Sequence, residues 1–427
     1  MFKLLLILII LFSVAFGYIV LRKIETYPHI ITYTRDGDIW LAKTDGTGES
    51  KITSHEQISY KYRNYINGEF IENNLSNKFY KSTKISSDGK YIFFLSLSDN
   101  YLDELNDWKD NVKFFSNYNP NYSEFDPPEI SYELKIFDLI SKKITPLTSY
   151  KSEVKHYGKF NSLMWAKNRD SFVFVKDFNL HFLFNIKMDI EKPSLETYFL
   201  KDFCSLDCGL LSDEDQFIKL SPDGAKLLTS YQFPDVSAGC NNTVGSKIMV
   251  FDFETKRSFL IPVSSDYCSG NIGDWFSDSL NYITVEYNLS TGSDNFIKRN
   301  YGDDYKEFTL FQDKDYQFRG PLSISPDDKW VIYPVGEHTF GSIGRTDLRL
   351  RSLTTSEYFD ILPLLNKNLN LNMARAMYPN WDSNSKYVYL ELEGDSDPQK
   401  RLILKFDIKK KKGEVLFNNA GQPSISN

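Results

Sequence analysis

Four cysteines, Cys204, Cys208, Cys240 and Cys268, fall in one stretch of the chain, and they are the residues whose type and spacing most directly imply chemistry. An even number of cysteines in an exported chain reads as two disulfides with three possible connectivities. Cys204–Cys208 with Cys240–Cys268 is the preferred pairing. A four-thiolate zinc site is the rival, but the spacing is not that of a zinc ribbon. No metal and no cofactor are therefore expected. The five histidines, His29, His55, His156, His181 and His338, are scattered, and none pairs with another at ligand spacing. The sequence holds no Gly-x-Ser-x-Gly elbow, no His-Glu-x-x-His, no phosphate loop and no Gly-x-Gly-x-x-Gly. The acidic run Asp213-Glu214-Asp215 reads as solvated surface. No catalytic residue is assigned.

The elements that position these residues repeat along the chain. Ser-Pro-Asp-Gly occurs at Ser221 to Gly224, Ser-Pro-Asp-Asp at Ser325 to Asp328 and Ser-Ser-Asp-Gly at Ser86 to Gly89. Looser copies sit at Trp165 to Asn168, Trp275 to Ser279 and Trp381 to Ser385. Each follows a short apolar run and precedes a run rich in Val, Ile, Tyr or Phe, the pattern of a hairpin. A third strand ending in an acidic residue follows, as in Ser131 to Asp138, Lys247 to Asp252 and Arg401 to Asp407. A more polar fourth comes after it, as in Lys143 to Leu147 and Arg257 to Ile261. The turns lie about 59 residues apart on average, against ~40–45 for a compact four-stranded blade, so the surplus belongs to loops. These features predict an all-β, seven-bladed β-propeller of four-stranded antiparallel blades, with six blades as the alternative. Ile30 to Thr53 supplies only strands two to four of a blade. Gly421 to Asn427 resembles the start of a repeat, so the C-terminal strand is expected to close the first blade.

The phrases Ser-Pro-Asp-Gly-x-Lys and Gly-Asp-Ile-Trp-Leu-Ala-x-x-Asp-Gly-x-Gly resemble the repeats of TolB-like propellers, also called WD40-like (PD40-type) repeats. The resemblance covers roughly residues 29–427. It implies the propeller fold and favours a non-enzymatic binding protein, since no hydrolase domain accompanies the propeller. Seven-bladed metal-dependent uronate lyases resemble the same architecture. A propeller-fold carbohydrate- or peptide-active enzyme is therefore the alternative, recognisable by histidines converging with a carboxylate in the channel.

Leu4 to Leu21 carries no charge, with Lys3 before it and Arg22 and Lys23 after it. At 1.5 Å per residue this hydrophobic helix spans about 27 Å, close to the hydrocarbon thickness. It reads as a signal anchor, or as a signal peptide cleaved after Gly17 with Ala15 at the −3 position. Residues 1–23 are thus set apart from a propeller over 24–427, and an extracytoplasmic location follows, membrane-anchored or secreted. A net charge of −7 argues against a nucleic-acid role. The Lys409–Lys412 run reads as a solvated turn. A monomeric propeller with a protein or peptide partner is expected.

In a four-stranded blade, connections leaving strands two and four emerge on one face. The insertions at Ser54 to Ser76, Ser98 to Ile130, Tyr231 to Ser246, Tyr287 to Asp304 and Gly336 to Thr346 all map there, as do the four cysteines. This loop-rich face is the expected binding surface. Residues preceding each inner strand would ring the channel mouth: Tyr80, Lys81, Tyr157, Lys159, Gln216, Arg319 and Arg375. Their aromatic and cationic character suits a peptide terminus or an anionic group.

Overall fold

A computed structural model describes residues 29–55, 57–63, 70–75, 79–118, 130–151, 164–165, 172–176, 179–184, 194–199, 218–232, 246–261, 267–288, 290–302, 307–314, 322–336, 346–394 and 400–426. β1 (Ile30–Arg35), β2 (Asp38–Lys43) and β3 (Ser50–Lys51) begin the first sheet. A ribbon of β4 (Ser59–Arg63) and β5 (Phe70–Asn74) follows. The second sheet is β6 (Tyr80–Ile85), β7 (Tyr91–Leu97), β8 (Ser131–Asp138) and β9 (Ile144–Lys151). The third is β10 (Met164–Trp165), β11 (Phe172–Lys176), β12 (Asn179–Phe184) and β13 (Ser194–Phe199). The fourth is β14 (Ile218–Leu220), β15 (Lys226–Gln232), β16 (Ser246–Asp252) and β17 (Arg257–Ile261). The fifth is β18 (Tyr267–Trp275), β19 (Asn281–Asn288), β20 (Ser293–Asn300) and β21 (Glu307–Asp313).

The sixth sheet has eight strands. Its first half is β22 (Ser323–Ile324), β23 (Trp330–Gly336), β24 (Thr346–Ser352) and β25 (Tyr358–Asp360). Its second half is β26 (Met373–Trp381), β27 (Tyr387–Gly394), β28 (Arg401–Asp407) and β29 (Lys412–Asn418). The repeats predict seven separate blades, whereas the described strands form six blade sheets, the alternative count. The difference has a local cause. Thr346 of β24 pairs in parallel with Arg375 of β26, and that contact joins the two antiparallel halves into one sheet.

The last strand, β30 (Ala420–Ile425), pairs antiparallel with β1 and completes the first sheet in the order β3-β2-β1-β30. The C-terminal segment therefore closes the ring, as its likeness to a repeat start predicts. Side chains reinforce the ladder: Thr32 Oγ1 donates to Ser424 O at 3.3 Å and Thr34 Oγ1 to Gly421 O at 3.1 Å. At the strand end, Ile30 N donates to Ser426 Oγ at 3.0 Å, and Ser426 N to Ile30 O at 2.9 Å. Closure leaves the first sheet with no exposed inner edge.

The repeated turns show why their residues recur. In the second sheet, Ser86 Oγ bonds Asp88 Oδ1 at 2.7 Å and accepts from Tyr91 N at 3.0 Å, while Gly89 takes φ 72°. Ser221, Asp223 and Gly224 repeat this in the fourth sheet: Lys226 N donates to Ser221 Oγ at 2.9 Å, and Gly224 has φ 70°. The serine caps the start of the outgoing strand, the carboxylate takes the turn amides, and the last position must enter the left-handed region. Burial pushes the Asp223 carboxyl up, but its bonds from Ser221, Ala225 and Lys226 prevail and hold it below the usual range. Two of these turns also bond the next hairpin turn along the chain. Asp223 N donates to Ser279 Oγ at 3.0 Å and Asp327 N to Ser385 Oγ at 2.9 Å.

Sheet faces pack through aromatic contacts. Phe93 stacks on Phe172 at 3.9 Å between the second and third sheets, and Tyr33 on Phe417 at 4.4 Å between the first and sixth. Such pairs add roughly 0.5–1.5 kcal/mol each beyond area burial. Arg349 locks the fifth sheet to the sixth, bonding Asp313 at 2.9 Å and Asp360 at 2.6 Å, with Tyr333 Oη on Asp313 at 2.7 Å. Gly273 of β18 has no room for a side chain: a Cβ there would lie 2.1 Å from Ile283 O.

Two helices interrupt the strands among the described residues: α1 (Asp99–Tyr118) and α2 (Ile361–Leu369). The insertion at Ser98 to Ile130 is expected to be a loop, but Asp99–Tyr118 form a helix capped by Ser98, whose Oγ accepts from Tyr101 N at 3.1 Å. Tyr101, Leu105 and Trp108 lie on its buried side and join a cluster with Tyr60 and Leu75 beside the ribbon. The insertion at Ser54 to Ser76 is likewise not a loop throughout, since it carries β4 and β5. Tyr287 to Asp304 is also largely strand. β19 turns tightly into β20 at Asn288, whose Oδ1 accepts from Ser290 N at 2.9 Å, and Gly292 takes φ 61°. α2 packs Ile361, Leu362 and Leu365 inward. The N-terminal hydrophobic segment lies outside the described residues, and none of the described helices is long and apolar enough to cross a membrane.

Candidate functional site

The inner strands β30, β6, β10, β14, β18, β22 and β26 surround the propeller axis. Each ends in an apolar residue placed against its own hairpin partner, such as Ile85 opposite Ile92, Leu220 opposite Leu227 and Trp381 opposite Val388. The residue just before it alternates to the other side and occupies one level of the ring. Around that level stand Ser424, Lys84, Met164, Lys219, Asp274, Ser323 and Asn380. Four bonds stitch the level together. Ile85 N donates to Ser424 Oγ at 3.2 Å, and Ile324 N to Asp274 Oδ2 at 3.0 Å. Asn380 Nδ2 donates to Pro423 O, and Trp275 Nε1 to Lys219 O, each at 2.9 Å. The side chain before the strand end thus faces the following sheet, and the strand-end side chain faces the preceding one.

Three charges share this level near the tight turns. Lys219 Nζ lies 3.8 Å from Asp274 Oδ2. Lys84 is half-buried and pushed down to about 8, first by desolvation and then by the charge of Lys219. Lys84 belongs to the second sheet and Lys219 to the fourth. In chain order β10 of the third sheet lies between their strands.

Toward the loop-rich face, the seam between β27 and β30 holds a second polar group. Glu391 is fully buried, and its Oε2 accepts from Gln422 N at 2.7 Å. Gly421 permits this approach: a Cβ there would lie 3.0 Å from the carboxylate. Burial pushes Glu391 up to about 7, against the opposing pull of Arg401, whose Nε lies 3.6 Å away. Tyr378, at φ 51° in β26, is pushed up to about 12 by burial and then by Glu391.

Two of the residues expected at the channel mouth are described with their side chains, and they stand apart. Tyr80 packs among Ile30, Ile39, Ile92 and Phe94 between the first two sheets, with its Oη 3.3 Å from Ser54 O. Arg375 of β26 pairs with Glu393 at 3.2 Å, beside the Glu391 seam. Lys81 lies in β6 opposite Leu95. Tyr157, Lys159, Gln216 and Arg319 lie outside the described residues, as do Cys204, Cys208 and Cys240. Cys268 lies in β18, and its side chain is outside the described set. His55 Nδ1 sits 3.0 Å from Asp38 Oδ1 and its ring stacks on Phe79, so this histidine belongs to the packing between the first two sheets.

Lys84, Lys219, Asp274 and Glu391 are not among the site residues the sequence predicts. For the first three the signal was present: each immediately precedes the apolar residue that ends its inner strand, Ile85, Leu220 or Trp275. Glu391 gave no such signal, because its burial comes from the closing strand.

No protein-family model matches the chain, and no curated protein matches it. Solved structures with a similar fold include a prolyl endopeptidase, at TM-score 0.48 and 11% identity over 91% of this chain and 50% of that one. The chain thus spans about half the length of that enzyme. The β-propeller domain of the trilobed protease from Pyrococcus furiosus aligns at TM-score 0.46 and 11% identity, over 90% of this chain and 94% of that one. A protein described as TolB from Agrobacterium tumefaciens aligns at TM-score 0.41 and 15% identity, over 67% of this chain and 88% of that one.

Proposed function

We propose that this chain is an exported, membrane-tethered, non-enzymatic β-propeller that binds a protein or peptide through its loop-rich face. One observation carries the reading. Two of the insertions on that face carry built elements: the β4–β5 ribbon and α1 share a hydrophobic cluster with the second sheet. An ordered insertion costs chain entropy that mere decoration would not repay, and a rigid platform is what recognition needs. The solvent side of α1 presents Asp103, Glu104, Asn106 and Asp107, all exposed. The apolar run Leu4 to Leu21 supports the membrane tether, and the grouped cysteines support an oxidising compartment with two disulfides.

The test is site-specific photo-crosslinking in the native envelope, with the probe at Asn106 on α1 and, as the control, at the exposed Leu280 of a tight turn. One stoichiometric protein captured from Asn106 and not from Leu280 is expected. Equal capture at both positions, or none at Asn106, rejects the loop face as the binding surface. Intact mass of the mature chain decides between anchor and cleavage after Gly17, and four missing thiol hydrogens would report both disulfides.

A further inference from the structure

We infer that the cleft between the first sheet and the end of β29 is a binding site for a neutral polyhydroxylated ligand, a sugar residue, held by Arg35, Asp36, Glu49, Asn418 and Asn419. The cleft has a volume of about 410 Å³, within the ~300–1,000 Å³ of ordinary ligand sites. Ring closure builds it. The end of β1 and its turn supply Arg35 and Asp36, and the connection from β29 to β30 supplies Asn418 and Asn419. The closing ladder sets the two segments side by side, with Arg35 paired to Ala420. Asp36 and Asn419 both take φ 51°, a left-handed conformation that Asp and Asn tolerate in turns. The side chains of Asp36, Asn418 and Asn419 are exposed and make no hydrogen bond among the described residues.

The charged part of the cleft is fixed by the protein itself. Arg35 Nη1 pairs with Glu49 Oε1 at 2.7 Å. The guanidinium lies over the rings of Trp40, Tyr33 and Phe417 at 5.1, 5.3 and 5.9 Å, which holds it in place. Tyr33 Oη donates to the same Glu49 oxygen, so Glu49 Oε2 remains as an acceptor. The lining is polar apart from Leu416 and Phe417, and Phe417 is buried in its stack on Tyr33. An apolar ligand therefore finds little to pack on. An anion would meet the carboxylates of Asp36 and Glu49. A cation would meet Arg35 and leave the amide donors of Asn418 and Asn419 unused. Fixed donors set among fixed acceptors suit a group that both donates and accepts, as vicinal hydroxyls do. The site uses no residue of α1 or of the β4–β5 ribbon and stands independently of the partner-binding reading.

The test is saturation-transfer difference NMR on the purified full-length chain in a sugar-free detergent. The probes are the methyl glycosides of glucose, galactose, mannose and N-acetylglucosamine, with sodium acetate and N-acetyl-lysine methylamide as the anionic and cationic comparisons. Transfer to the ring protons of at least one glycoside is expected, and none to acetate or to the lysine amide. Asn418→Ala should weaken binding of that glycoside about fivefold, the loss of one neutral hydrogen bond. Glu49→Gln, which also loosens Arg35, should weaken it further. Circular dichroism confirms that both variants are folded. A disaccharide that binds more tightly than its terminal glycoside identifies a glycan chain as the ligand, and equal binding identifies a single sugar. Absence of transfer to every glycoside, transfer to acetate or the lysine amide in their place, or glycoside binding unchanged in both variants overturns the inference.

Discussion

The two faces of the disc are made by different rules. On the turn face a single phrase recurs, and its serine, carboxylate and left-handed residue do the same work at Ser86, Ser221 and Ser325. Two of these turns also bond the next hairpin turn, Asp223 to Ser279 across sheets and Asp327 to Ser385 within the sixth. On the loop face, among the described residues, no element repeats: the β4–β5 ribbon and α1 each occur once and pack on the second sheet. The repeated face is a frame whose energy is spread over many equivalent small bonds. The singular face is a platform whose order depends on one hydrophobic cluster. Damage should therefore be local and severe on the loop face and modest at any one turn, whereas loss of the closing strand should reach both.

Deleting residues 420–427 should have the largest effect. It strips β30 from β1 and exposes the inner edge of the first sheet, and the expected outcome is loss of a cooperative urea transition followed by circular dichroism. A sharp transition at the wild-type midpoint would show that the faces do not depend on closure. Trp108→Ala comes next. It removes a buried ring that meets Tyr60 at 5.4 Å, at a cost of about 3 kcal/mol. Hydrogen exchange should quicken in α1 and the ribbon while amides of the Ser221 and Ser325 turns keep their protection. A uniform loss over both faces would break the contrast drawn between them.

Glu391→Gln sharpens the comparison at the closing seam. The folded-state affinity of Glu391 is raised to about 7 from 4.5, so the folded chain holds a proton that the unfolded chain has released. That contribution is complete below pH 4.5 and is lost as pH rises through 7, at most about 3 kcal/mol. The neighbouring charges are Arg401, Glu393 and Arg375, with Tyr378 beside them. Between pH 5 and 8 the wild type should lose more urea stability than the variant, whose amide oxygen still accepts from Gln422 N. Parallel curves would show that Glu391 does not titrate in this window. The smallest effect is expected from Ser279→Ala, about 1 kcal/mol for one hydrogen bond lost by Asp223 N. Ser385→Ala should match it if the turns are equivalent.

Much of the frame was legible because its signals are local. A Ser-Pro-Asp-Gly turn states its own geometry, and Gly421 to Asn427 looks like a repeat start because it must pair as one. The joining of β24 to β26 was not legible, since it rests on one parallel pair, Thr346 with Arg375, that no local pattern encodes. α1 was hidden because Tyr101, Leu105 and Trp108 are set in an acidic stretch that reads as loop, and their helical spacing matters only once the ribbon offers Tyr60 and Leu75. The channel level was half legible. Lys84, Lys219 and Asp274 share an offset from their turns, but an offset becomes a ring only when the sheets are placed about an axis. Tyr80 was assigned to the mouth from the same register, yet its ring found a better place among Ile39, Ile92 and Phe94.

The most direct measurement is hydrogen exchange across the closing ladder, Thr32 with Ser424 and Ile31 with Ile425. If the C-terminal strand completes the propeller, the amides of residues 421–426 that are bonded to β1 exchange only through global unfolding, at the same rate as those of β1 and with the same urea dependence. Exchange of 421–426 at unfolded-chain rates while β1 stays protected would contradict the closed ring and the channel built on it.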